Sequence, residues 1–561
     1  MMRLNATDLG PAKPMSSLVY GAIQLAALLC GAVQLHLDAG YDNLLSVGCV
    51  VLSTLACVSY LRRSGCMDDA PVSSFAILGF LITTLLGALL AKTLEGAPIS
   101  ADLKTPVMTF TVLSGALMGT MALHWVYRHL QSIVNWRNAV ASRVLAPAGL
   151  YRAPPPGQLW AMTLFGLYAV LINRGVAFGD VGGKFISGFT YLAWLPFLAP
   201  IFKARGEPAY QNLGMHWVYL SAYAVVLALA GLALNARVII FSGAMVVMLL
   251  ALFETMRGRF RVGRWTWLKA TLALCLVAGG VSVGADLATA MVIVRQKTET
   301  LSPKQKVKET YDTFLDRNAI ALYRDEKEAE RLAVTYDEIY VRNAILARFT
   351  ETKFHDNALN CATNYRDADR ADLAQATIDK IYTILPTPLM KAIDPKLDKD
   401  KLAYSFGDYL CNIKDGVTLG GYRTGSIFAH AYALFDDVGW LVLLALFLLK
   451  FFTLDLYSLR NKDGIYVVSP VLMLTVWFNF IGAYSGDSLV QYLDSLTRMF
   501  VQQIGLYLLL CYLLRHFMAL WAPTPVSDHV ATRRSPSWLQ ITSRRALASI
   551  RAIRRPHWRR S

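Results

Sequence analysis

The sequence predicts an all-α, polytopic membrane protein of about twelve transmembrane helices, with one large, mainly helical periplasmic insert. Three observations predict it. The 561-residue chain is 55% hydrophobic and only 17% charged, whereas an ordinary soluble domain is about 45–50% apolar and about 25% charged. Its apolar residues fall in runs close to the roughly 20 residues that a helix needs to cross hydrocarbon. Its one long polar stretch, 296–429, places apolar residues at a 3–4 period. This composition excludes a disordered chain, a collagen-like chain and a disulfide-dense secreted scaffold.

Nine apolar runs precede the polar stretch, at 18–35, 44–61, 75–91, 107–127, 159–171, 185–202, 215–234, 238–253 and 267–294. Three follow it, at 431–452, 466–484 and 499–521. The runs at 159–171 and 238–253 are short, so each reads as tilted, re-entrant or longer than its apolar core. The first run lacks an A-x-A-like exit and more spans follow it, so it is expected to stay on the chain.

Orientation comes from Lys and Arg in the short loops. With the N-terminus in the cytoplasm, the inward loops hold fourteen and the outward loops six. The tail from Arg533 carries nine Arg and no acid, and twelve crossings put it on the same side. The expected organisation is therefore 1–295 (nine transmembrane helices), 296–429 (periplasmic insert), 430–525 (three more) and 526–561 (basic cytoplasmic tail). The insert holds 20 Lys+Arg against 21 Asp+Glu, a net of −1, while the whole chain is +16. The positive charge thus marks sidedness. No base-reading motif accompanies the arginines, so nucleic acid is not expected as a partner. Tail residues Trp538, Leu539, Ala546, Leu547, Ile550 and Ile553 recur at near-helical spacing between Arg pairs, the pattern of a helix lying on an anionic leaflet.

Within the insert, Ser302-Pro303 reads as an N-cap and first helical residue ahead of Val307, Tyr311, Phe314 and Leu315. A second stripe runs through Leu332, Tyr336 and Ile339, skips a polar turn at Asn343 and resumes at Leu346. A third spans 371–385 and is stopped by Pro386 and Pro388. Together they predict a helical cap over the membrane domain. Six of eight cysteines lie in or beside apolar runs, where a thiol is a small hydrophobe. Cys361 and Cys411 lie in the insert and read either as a disulfide closing a loop of about 50 residues or as two buried thiols. There is no C-x-x-C and no Cys/His metal spacing, and the triplets Asp367-Ala368-Asp369 and Asp398-Lys399-Asp400 are too common to carry a metal claim. No metal and no cofactor are expected.

Ionisable groups at membrane depth are costly and mark function by default. Arg237 occupies a tight outward turn, Asn235-Ala236-Arg237, and reads either as a bidentate diphosphate contact or as a snorkelling interfacial arginine. The insert ends in a glycine-rich stretch, Gly420 to Gly425, that leads into His430, Asp436 and Asp437. There His430 suits a general base, Arg423 a phosphate contact, and either aspartate an orienting partner. The alternative is a capped interfacial histidine. The run from Arg348 to Asn357, with Arg348, Lys353 and His355, fits contact with an anionic glycan or diphosphate, or a solvated helix end. Glu254 is expected to pair with Arg257. Asp286 is a cation or sugar ligand, or a packing partner.

Many spans, a late outward insert, an arginine in a tight outward turn and the pattern Gly425-x4-His430-x8-Gly439 resemble the bacterial O-antigen polymerase/ligase superfamily, with Ala431 where that family often has Asn. The likeness covers the architecture from about 184 to 452. It implies a multi-pass protein of the bacterial inner membrane, with both termini cytoplasmic. It further implies a metal-independent glycosyltransferase that polymerises or transfers polyprenyl-diphosphate-linked oligosaccharide, in contact with other polysaccharide-assembly proteins. In that reading His430, Arg237 and Arg423 are catalytic, and Arg348, His355, Asp436 and Asp437 bind substrate. Two other classes stay open: a transporter or flippase for a lipid-linked sugar or other solute, and a non-enzymatic assembly subunit.

Overall fold

Lipid offers no partner for a bare backbone, so apolar runs are forced into helices that satisfy their own hydrogen bonds. The computed structural model describes residues 15–172, 179–212, 214–258, 266–295, 301–333, 337–343, 346–363, 365–461 and 466–521. Among these residues nine helices are long and apolar enough to cross a membrane, from Met15–Leu37 to Leu489–Met518. The chain is a multi-pass, all-α membrane protein. Two shorter apolar helices, Pro156–Ile172 and Pro470–Ile481, fall in the fifth and eleventh runs, and the ninth run is the helix Thr266–Arg295. Arg174, the arginines of 259–264 and the basic tail lie outside the described residues. By contacts the chain divides into Met1–Leu514 and Arg515–Ser561.

Burial ranks the helices. Every residue of Pro71–Leu81 is buried, so this helix is apolar all round and central, whereas Leu25, Leu29 and Leu52 on the first two helices are exposed. Gly79 lets the central helix meet Pro470–Ile481 at backbone distance: a Cβ there would lie 1.9 Å from the Phe480 carbonyl oxygen. Directly after it, Ile82–Leu86 is a π-helical turn.

One end of the bundle is tied by a polar network. Asp455 is fully buried and accepts from Ser73 N at 3.2 Å, Ser73 Oγ at 2.9 Å, Tyr127 Oη at 3.1 Å and Arg137 Nη1 at 3.3 Å. His124 extends it, with Nε2 2.8 Å from Ser73 Oγ and Nδ1 2.7 Å from Tyr60 Oη. Arg205 and Arg257 bracket Glu254 at 3.1 and 3.7 Å, so the expected Glu254–Arg257 pair is joined by a second arginine.

The insert is a set of helices docked on the bundle. Ser302 caps Pro303–Leu315 in a reciprocal box with Gln305. Asp286 is held by Arg317 and Arg324 of the next helix, the packing-partner alternative. Of the stripe through Leu332, Tyr336 and Ile339, Leu332 lies in the helix Arg317–Ala333, Tyr336 lies outside the described residues, and 337–343 has no regular structure. Tyr340 donates to Ile99 O at 2.6 Å, because this strip lies flat against the bundle. The run at 466–484 is also corrected. Its first residues, Tyr466–Val468, pair antiparallel with Ser458–Arg460, and only Pro470–Ile481 is helix. A short apolar run does not by itself distinguish strand from helix.

The lock between insert and bundle is Asp356. It is fully buried and accepts from the backbone N–H groups of Lys104 and Thr105, both at 2.7 Å, and from the Thr105 and Thr109 hydroxyls at 3.0 and 3.1 Å. It thereby caps the Pro106–His129 helix from another part of the chain. A disulfide joins Cys361 to Cys411, with Cα atoms 5.2 Å apart.

Candidate functional site

A cavity of about 350 Å³ opens where the insert meets the helices Gly439–Asp455, Pro470–Ile481, Leu489–Leu496 and Arg498–Trp521. Its insert end is lined by Glu351, His355, Thr424, Gly425, Ser485 and Asp487; its deep end by Lys450, Tyr457, Tyr492, Ser495 and Gln503. Five titratable types in one cleft (Glu, His, Asp, Lys and Tyr) make this the candidate site.

Glu351 reaches the cavity because the π-helical turn frees backbone carbonyls that an α-helix would consume. Thr83 O accepts from Glu351 N at 2.8 Å, and Thr84 O accepts from the Thr352 hydroxyl at 2.8 Å. A Cβ at Gly87 would lie 2.1 Å from Phe349 O, so only glycine lets the segment approach. The Ser485 hydroxyl lies 2.7 Å from Glu351 Oε2 and 3.0 Å from Ile481 O. Ser485 Oγ donates to Glu351 Oε2, and the Ile481 carbonyl is its alternative acceptor. Burial pushes the Glu351 carboxyl up to about 8, against the opposing pull of the Ser485 hydrogen bond.

His355 is 2% exposed. Its Nδ1 lies 2.8 Å from Ser426 Oγ, and its Nε2 has no hydrogen-bond partner. Burial pushes the imidazole down to about 3, so the ring is neutral at pH 7. Asp487 Oδ1 accepts from Gly425 N at 2.6 Å, which pins the glycine-rich stretch to the cavity wall. Burial raises the Asp487 carboxyl.

The other residues singled out by sequence lie elsewhere. His430 is fully buried and does not line the cavity. Its Nδ1 accepts from Leu489 N at 3.1 Å, which leaves Nε2 to donate to Thr377 Oγ1 at 2.9 Å, and its ring stacks 4.1 Å from Phe406. Both ring nitrogens are engaged, and the side chain joins insert to bundle. Arg423 pairs with buried Asp408 at 3.2 Å and also donates to Thr418 O. Asp436 pairs with Arg370 and Asp437 is exposed; neither contacts His430. Arg237 begins the Arg237–Met256 helix and does not line the cavity. The side chain of Arg348 lies outside what is described. Of the run 348–357, Lys353, His355 and Asp356 are buried, so it is not a solvated helix end.

Sequence reasoning passed over Glu351, Lys450 and Asp487. Lys450 carried a usable signal: it is the one charged residue in the run 431–452 apart from Asp436 and Asp437 at its mouth. Glu351 and Asp487 carried none, since only the fold buries them. Among the described residues no group of acids, His and Cys is arranged to hold a metal. No family model, curated protein or solved structure matches this chain, and its function is therefore argued from the cavity.

Proposed function

We propose that the chain is a glycan-assembly enzyme of a bacterial inner membrane, which lengthens or transfers a polyprenyl-diphosphate-linked oligosaccharide at the outward face of about twelve spans. The observation that carries this reading is Glu351, a half-buried carboxyl pushed up to about 8 by desolvation, which suits a general base near neutral pH, beside a histidine with a free Nε2 in a cleft shared by insert and spans. In the proposed step the acceptor hydroxyl oxygen bonds to the donor's anomeric carbon. The bond from that carbon to the diphosphate oxygen breaks, its electron pair leaves on the diphosphate, and the hydroxyl proton passes to ionised Glu351. His355 Nε2 orients a sugar hydroxyl.

The test is purified protein supplied with a lipid-linked repeat unit. Product ladders are expected with wild type and absent with Glu351→Gln, and a wild-type rate in Glu351→Gln refutes the assignment. His430→Ala is expected to reduce the yield of folded protein, with the folded fraction still active. A second reading, a transporter or flippase for the same lipid-linked sugar, draws on the reach of the cavity from the insert to Tyr457 and Gln503. Movement of the unit across proteoliposomes without elongation would select it.

A further inference from the structure

We propose that the deep end of the cavity is an anion-binding subsite, built on Lys450, for a phosphate-class group. Lys450 stands eleven residues into the Gly439–Asp455 helix, about 16 Å along its axis, and is 7% exposed. Its partners among the described residues are the Ser495 hydroxyl at 3.3 Å and the face of the Tyr492 ring at 5.7 Å. The acids closest to Lys450 and Ser495 in sequence are committed elsewhere, Asp455 to Arg137 and Asp494 to Arg498 through two bonds of 2.8 and 2.6 Å. The acids that line the cavity, Glu351 and Asp487, belong to its insert end, and no ion pair joins either to Lys450 among the described residues. A buried ammonium without a counter-charge is strongly disfavoured, so the site favours an anion.

The groups around Lys450 agree in sign. The Tyr492 hydroxyl is buried with no hydrogen-bond partner. Gln503 Oε1 accepts from Tyr457 Oη at 3.3 Å, which leaves the Gln503 amide N–H groups as donors at the cavity wall. Ser495 spends its own proton on Tyr492 O at 2.7 Å, so toward Lys450 it accepts, and two ammonium N–H bonds remain. This end of the cavity therefore offers five N–H or O–H donors in excess, with positive charge. A metal cation would be repelled, and a neutral sugar hydroxyl would leave the charge unmet. A phosphate or diphosphate supplies both the acceptor oxygens and the counter-charge. The subsite is needed equally by a glycan enzyme and by a carrier of an organic phosphate, so it does not rest on the function proposed above.

The experiment uses the full chain in zwitterionic nanodiscs, titrated with inorganic pyrophosphate and with farnesyl diphosphate and followed by ³¹P NMR. At least one probe is expected to bind. Lys450→Met should weaken that binding at least tenfold while the unfolding temperature holds or rises, because methionine fills the space without the buried charge. Tyr492→Phe, which keeps the cation, should weaken it several-fold. Binding of farnesyl diphosphate alone assigns a lipid-borne group, and equal binding of both assigns the diphosphate itself. The proposal is overturned if neither probe binds wild type. It is also overturned if Lys450→Met binds like wild type, or if it lowers the unfolding temperature while Tyr492→Phe leaves affinity unchanged.

Discussion

Replacing Asp356 by alanine should uncouple the insert from the bundle. The carboxylate takes four hydrogen bonds, two from the backbone N–H groups of Lys104 and Thr105 and two from threonine hydroxyls. The hydroxyls can re-pair with each other, being 3.4 Å apart. The two N–H groups lose a charged acceptor at a part-buried position, and each such bond is worth about 1.5–3 kcal/mol, toward the lower end where water reaches it. Loss of the negative charge at the helix N-terminus adds about 0.3–1 kcal/mol. The expected destabilisation is about 4 kcal/mol. Asp356→Asn keeps one acceptor oxygen and should lose about half as much. The assay is thermal unfolding in detergent combined with limited proteolysis, which should open cleavage sites in 337–363 in the alanine variant before the bundle melts. An Asp356→Ala protein with wild-type melting and a wild-type cleavage pattern would show that the insert is held by its apolar contacts alone.

Glu351 makes stability depend on pH. Its folded carboxyl titrates at about 8 against an ordinary value of 4.5, so the folded state holds a proton that the unfolded chain has released. The stabilisation is full below 4.5 and is lost as pH climbs through 8. The wild-type unfolding temperature should fall between the ordinary value of 4.5 and the raised value of about 8 and level off above it, and Glu351→Gln should flatten that decline; equal slopes would contradict the burial argument. For the disulfide, a separation of 50 residues corresponds to about 4 kcal/mol in the chain-entropy model. Cys361→Ser should therefore melt well below wild type under oxidising conditions and match it under reductant.

The spans were legible because lipid imposes its constraint one segment at a time, so a run such as 107–127 announces its helix without reference to the rest of the chain. The site was less legible because its constraints are non-local. His430 reads from sequence as a base; only the fold brings it Thr377 and Leu489, 53 and 59 residues away, which turn it into a fastening. Asp356 and Glu351 look like surface acids until the π-helical turn and the start of the Pro106–His129 helix claim them. Cys361 and Cys411 stood out for a simpler reason, since the other six cysteines lie in or beside apolar runs.

The network around Asp455 has a consequence for biogenesis. Arg137 and Asp455 are 318 residues apart in sequence, and at about 5–20 residues per second the arginine leaves the ribosome some 15–60 s before its counter-ion exists. Ser73, His124 and Tyr127 wait with it. During that interval the early helices form an incomplete bundle with a stranded positive charge. Final closure of the bundle is therefore timed by the synthesis of a single late aspartate.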